Sequence, residues 1–452
     1  MSDALFTLVE NDAPTRRQQL GELVSYQSLA FPGYDPAVAA ACASRVAELC
    51  RELGFNDIEL LDIGSQNPTV WAETKVDPDA LTVLMYAHYD VQPAPLEQGW
   101  TSDPWEMSEA DGRLYGRGVA DNKAGIVQHL SALRCLLEDR GLAGVDALPF
   151  SIKICFEGEE EYGDSLPRYI PTDAERFKAD IFLVCDGGNL EIGKPVLQQS
   201  LRGIVEQTIS IRTLPNALHS GAFGGPAPDA FLALTKLIQS CYDADDNTAI
   251  EGIVGSDFAG SVDYSDDLFR KQAEMAPGAP LVGTGSIATR LWARPALKVV
   301  GVDMTNVETS SNVITPEVRA RFSLRFPAGQ KGADVLEYLR MHIWKETPWG
   351  ADVVFEESVY MNAFEAGSPD GQYTKLMADC LTQAFDYPCS DAASGGSIPL
   401  LGVLQEVSPD AEFLLFGPID SELSNIHGAN ESVSIEELTA CTKAETLFLS
   451  KI

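Results

Sequence analysis

Apolar positions change their period twice along this chain. Near the N-terminus they recur every three to four residues, so residues 16–29 and 36–53 read as amphipathic helices. In the second, Val38, Cys42, Val46, Leu49 and Leu53 share a face, and Gly54 is a natural stop. Short apolar runs follow at 81–87, 150–156 and 180–185, each the length of a buried strand. Between the first two, Ile126, Val127, Leu130, Leu133, Leu136 and Leu137 mark a helix. Strand–helix–strand alternation predicts an α/β domain with a mostly parallel sheet and helices on both faces.

Near residue 203 the period drops to two. Residues 205–211 and 318–326 alternate apolar and polar side chains, and helices are expected at 229–240 and 333–344. That is the pattern of a small α+β layer with one open sheet face. Residues 241–280, rich in Asp, Gly and Ser, read as a long loop region. After about residue 361 the α/β pattern of the N-terminal half returns. A domain at 203–361 is therefore expected to interrupt a larger one built from 1–202 and 362–452.

Composition adds a constraint on partners. The net charge is −35, from 32 Lys and Arg against 67 Asp and Glu, which disfavours nucleic acid and anionic membranes. Nine cysteines are scattered without a CxxC pair, so a cysteine zinc site is not expected and a reducing cytoplasm is. Residues 1–10 lack the features of a signal peptide, and no apolar run approaches a membrane span.

Against that background, acids and histidines gather where the strands end. His88-Tyr89-Asp90 follows the first apolar run, Glu157-Gly158-Glu159-Glu160-Glu161 the second, and Asp186-Gly187-Gly188 the third. In open α/β sheets, sites form at the carboxyl ends of strands. Asp121 follows a Gly-rich turn, where it could equally cap the next helix. His427 lies in Asn-Ile-His-Gly-Ala-Asn-Glu near the C-terminus, whereas His129 and His342 fall within helical patterns and read as structural. Crowded carboxylates repel one another unless cations or protons intervene, and His plus carboxylate donors suit zinc, with manganese or cobalt possible.

The ordered series HYDVQP, GRGVADNK, EGEEEYG, CDGG, LHSGAFGG, SLRFPAG, GGSIP and HGANE resembles the metallopeptidase family of carnosinases, Cys-Gly dipeptidases, glutamate carboxypeptidases, aminoacylases and succinyl-diaminopimelate desuccinylases, and most of all its carnosinase and Cys-Gly dipeptidase branch. The resemblance spans about residues 80–430. It implies two divalent metal ions, most readily zinc. His88 and Asp186 would hold one, Glu161 and His427 the other, with Asp121 bridging and a cis peptide bond to Asn122. Asp90 would orient His88, and Glu160 would be the general base that activates water. The inserted domain would be a lid and homodimerisation module. Its His219 would reach the partner subunit's active site, Arg325 would pair with a substrate carboxylate, and Asn312 and Ser397 would contact substrate. The chain departs from the pattern at Asn312, where a Thr is usual, at Ala124, and at Ala393 and Ser394, where an Arg is often found. The implied activity is hydrolysis of small peptides with a free terminal carboxylate. An N-acyl-amino-acid deacylase on the same fold, and a non-catalytic metal-dependent binding protein, are the alternatives.

Overall fold

In the computed structural model, which describes residues 2–74, 80–258, 260–366, 370–396 and 398–452, the chain divides into two compact units. One comprises residues 1–199, 366–392 and 398–452, and the other residues 200–365 with 393–397.

The first unit is a mixed sheet with a parallel centre. Ser151–Glu157, Thr82–His88, Ile181–Val184 and Glu412–Leu415 lie side by side in that order, all parallel. Thr69–Glu73 and then Asp57–Leu61 extend one side antiparallel, and Val196–Leu201 joins the other, opposing Leu415 through Gln198. The central strands are mostly apolar because both their faces are covered. Val83, Met85, Ile152, Ile154 and Leu183 point into a core shared with the helices Pro36–Glu52, Lys123–Arg140 and Ile435–Lys451. On the opposite face Phe182 stacks on Phe413 at 4.4 Å, and Trp71 meets Phe177 edge-on at 5.1 Å.

The N-terminal region differs from the sequence expectation. Two helices stand there, Ser2–Asn11 and Ala13–Val24, in place of one at 16–29. The second ends at Val24, and carbonyls at and just past that end meet a donor from elsewhere in the chain. The buried ammonium of Lys123 gives hydrogen bonds to Leu23 O (2.9 Å) and Tyr26 O (2.8 Å). The loop that follows is tied to the His88 strand end by Ser28, whose Oγ donates to Tyr89 O at 2.6 Å and whose O accepts from Val91 N at 3.1 Å.

The second unit is an antiparallel sheet in the order Ala296–Asp303, Glu317–Phe326, Gly203–Arg212, Asp352–Met361. Its alternation follows from one covered face. Val318, Ala320, Phe322 and Leu324 turn toward the helices Ala230–Ser240 and Gly332–Glu346, while Arg319, Arg321 and Arg325 take the other side. The expected loop at 241–280 contains a short helix, Asp266–Gln272, capped by the Ser265 side chain. Residues 393–396, assigned by sequence to the first domain, go with this unit, where Arg202 N donates to Ser394 O at 3.2 Å.

Candidate metal centre

Parallel pairing carries the acids and histidine of the first unit to one edge. His88 ends its strand opposite Glu157, and Asp186 follows closely on Ile181–Val184. His88 Nε2 lies 3.0 Å from Asp121 Oδ1, 3.7 Å from Asp186 Oδ1 and 3.9 Å from Glu160 Oε2. His427 Nε2 lies 3.1 Å from Asp121 Oδ2 and 3.2 Å from Glu161 Oε2. Two sets of donors result, His88–Asp121–Asp186 and Asp121–Glu161–His427, and Asp121 serves each with a different oxygen. Glu160 belongs to neither.

Hydrogen bonds fix these groups in place. The Asp90 carboxylate accepts the backbone N–H of Glu160 (3.1 Å) and of Glu161 (3.0 Å). It is 3.4 Å from His88 Nδ1, whereas the Asp90 carbonyl is 3.1 Å from that nitrogen. Asp90 thus orders the glutamate turn as well as facing the histidine. Gln92 Nε2 donates to Glu161 Oε2 at 2.7 Å. The Asp121–Asn122 peptide is cis, and Asn122 Nδ2 donates to Asp186 Oδ1 (2.5 Å) and Cys185 O (2.8 Å). Asp121 does not cap the helix Lys123–Arg140; the residue at that position is Asn122, without a side-chain cap. His427 sits at φ 63°, flanked by Asn425 at 49° and Asn430 at 59°, a loop of left-handed residues that suits Asn better than most. Around Asp121, Glu431 accepts the N–H groups of Gly118, Ala120 and Asp121.

The electrostatics are those of a site built for cations. Burial, then the anions of Asp186, Asp121 and Glu161, push the Glu160 carboxyl well up, although His88 opposes this. Glu161 is also raised, chiefly by burial. Hydrogen bonds to Asp121 and Glu161 raise His427 to about 10. Burial disfavours the charged form of His88, but bonds to Asp121, Asp186 and Asp90 outweigh it and lift its pKa. Without metal, protons compensate the carboxylates; nitrogen and oxygen donors converging in two sets fit divalent ions in their place. A third group, His129–Cys185–Glu445, offers no comparable opening. Both His129 ring nitrogens are engaged, with Glu445 Oε1 at 2.6 Å and Tyr86 O at 3.1 Å.

Glu157 gives a stability test. Burial raises its carboxyl to about 8, with Tyr86 Oη donating to it at 2.6 Å. The folded pKa exceeds the unfolded one, so this contribution is complete below about 4.5 and is lost as pH rises through about 8. In metal-free protein, Glu157→Gln is expected to remove much of that decline, up to a few kcal/mol near pH 8. Chelator-treated melts from pH 5 to 8 check this; parallel pH profiles for both proteins would dismiss it.

The second unit carries the remaining candidates. His219 pairs with Val313 in a two-residue ladder, and Asn312 O accepts from Ser220 N at 2.9 Å, so His219 and Asn312 are neighbours. His219 is exposed, and its Nδ1 accepts from Gly221 N at 3.1 Å, which leaves the proton of the neutral ring on Nε2. Arg325, opposite Ile204, is lowered in pKa by burial. Ser397 lies outside the described residues. Glu431, Arg117, Gln92 and the side chain of Asn122 carry no expectation from sequence, although all four stand inside the quoted motifs.

A model of peptidase family M20/M25/M40 matches residues 84–451. The chain is 37% identical over 438 residues to a cysteinylglycine-S-conjugate dipeptidase of Corynebacterium striatum, covering 96% of this chain and 94% of that one. It is 26% identical to the Cys-Gly metallodipeptidase of Schizosaccharomyces pombe, covering 85% and 83%. Among solved structures, the di-peptidase Dug1p of Saccharomyces cerevisiae superposes with a TM-score of 0.79 at 21% identity, over 100% and 99% of the chains. Human carnosine dipeptidase 1 gives 0.78 at 22%, over 100% and 98%.

Proposed function

The chain belongs to peptidase family M20/M25/M40 and is a metallopeptidase, and we propose from this that it hydrolyses dipeptides with a free terminal carboxylate at a centre of two divalent ions. The observation that carries the reading is the pair of donor sets joined through Asp121, with one further half-buried carboxylate, Glu160, beside them. His88 and Asp186 would hold one ion and Glu161 and His427 the other, most readily zinc. The bound ions would supply Lewis acidity toward the scissile carbonyl and acidify water. Glu160 would take the proton from water and return it to the leaving amine. Asp90 would keep His88 and the glutamate turn in register.

Substrate grip is assigned to the second unit. Arg325 would pair with the terminal carboxylate, for which guanidinium is well shaped. Asn312 and Ser397 would add polar contacts. We propose a homodimer in which the partner subunit's His219 donates Nε2–H to the oxyanion. An exposed apolar run on the edge strand supports self-association: Val300 is 59% and Val302 41% exposed on Ala296–Asp303. His219→Ala should lower kcat about a hundredfold while metal content is unchanged. Unaltered kcat would remove His219 from the site. Nine unpaired cysteines, among the described residues, fit a cytoplasmic setting, and no described helix is long and apolar enough to cross a membrane.

The relative of 37% identity is named for Cys-Gly S-conjugates, so Cys-Gly and its S-substituted forms head the substrate panel. Elemental analysis with that panel, its amidated counterparts and N-acetyl and N-succinyl amino acids tests the reading. Cleavage confined to the N-acyl compounds would make the enzyme a deacylase, and metal binding without any turnover would leave a binding protein.

A further inference from the structure

We propose that Glu431, clamped by Arg117, is a positioning residue that holds Asp121 in its bridging orientation and thereby governs occupancy of the His427 half of the metal centre. The inference rests on the two-metal reading above. Glu431 is wholly buried, and its two oxygens collect four donors. Oε1 accepts from Ala120 N at 2.9 Å and Asp121 N at 3.0 Å. Oε2 accepts from Gly118 N at 3.0 Å and Arg117 Nη1 at 2.5 Å. The Glu431 carbonyl also takes Gly116 N at 3.1 Å. The segment 116–121 is therefore wrapped around one residue from the far end of the chain.

Arg117 extends this hold to the other ligand loops. Its Nη2 donates to Gly428 O at 3.1 Å, next to His427, and to Pro93 O at 3.3 Å, just past Asp90. Its guanidinium lies over the Trp100 ring at 5.3 Å. Three ligand-bearing loops thus meet at one buried ion pair. Asp121 must aim Oδ1 at His88 and Oδ2 at His427, which leaves its backbone little angular freedom. A second set of groups that orients metal ligands commonly changes metal affinity by about 10–100-fold when lost. Gly118 adds a steric reason for the same path: it sits at φ +78°, and a side chain there would collide with Val91.

Glu431→Gln keeps volume but replaces one acceptor oxygen with a donor, so one pair of N–H groups must lose its partner. Arg117→Lys keeps the charge but replaces the planar fork, which spans Glu431, Gly428 and Pro93, with a single donor atom. Both are tested by calorimetric titration of the metal-free protein with zinc and by the visible spectrum during cobalt titration. Wild type should bind two ions. In each variant one ion should bind within about threefold of its wild-type affinity and the other about 10–100-fold more weakly, with the spectrum altered only for the weakened ion. Wild-type isotherms in a folded variant, whatever its melting temperature, would reduce the pair to a structural ion pair. Equal weakening of both ions would also overturn the proposal. Should Glu431→Gln fail to fold, Arg117→Lys carries the decision alone. A wild type that binds fewer than two ions would instead overturn the two-metal reading.

Discussion

Replacing Glu160 with Gln is expected to leave a folded, metal-binding protein whose dipeptide turnover is lower by about two to four orders of magnitude. The side chain keeps its size and its turn, which is held through the backbone by Asp90. It is not in either donor set, so metal content should match wild type. What disappears is a carboxylate 3.9 Å from His88 Nε2 that can exchange a proton. Its surroundings favour that exchange: burial and three neighbouring acids raise its pKa well beyond an ordinary glutamate. Parallel assays of kcat and metal stoichiometry decide the matter. Turnover near the wild-type rate would move the base elsewhere, first to Glu159, whose Oε2 is buried without a hydrogen-bond partner.

Asp121→Ala should be more damaging still, because both donor sets use that carboxylate. Each set is left with one histidine and one acid, and both ions should be lost on dialysis, with activity falling below detection. The same change frees the histidines in the metal-free protein. Asp121 is first among the groups that raise His427 to about 10, so the His427 pKa should fall toward its ordinary range. Ring-proton titration by NMR would follow this. Two tightly held ions in the variant would sink the bridging role.

The parallel centre of the fold was legible because strands buried on both faces become unbroken apolar runs, and the 318–326 alternation because one face of that sheet is open. The helix Ser2–Asn11 was not, since it buries only Leu5 and Val9. Nor was the end of the next helix, whose last-turn carbonyl meets a lysine a hundred positions away. At the site, His88, Asp121, Glu160, Glu161, Asp186 and His427 could be picked out by residue type and by the family resemblance. Glu431 could not. Its partners are mostly backbone N–H groups, which every residue but proline possesses and no sequence advertises.

The strand Glu412–Leu415 has a consequence for biosynthesis. It fills the gap between Ile181–Val184 and Val196–Leu201, and His427 follows later, in the loop after the short strand Ile419–Asp420. All the other strands of that sheet leave the ribosome before it. Until the late strand arrives, the nascent sheet is interrupted between those two strands and presents open edges, which favour misassociation. Asp121 and Glu161 wait through the same interval without their histidine. On the proposed reading, a growing chain would lack one ligand of the hydrolytic centre until His427 has been added.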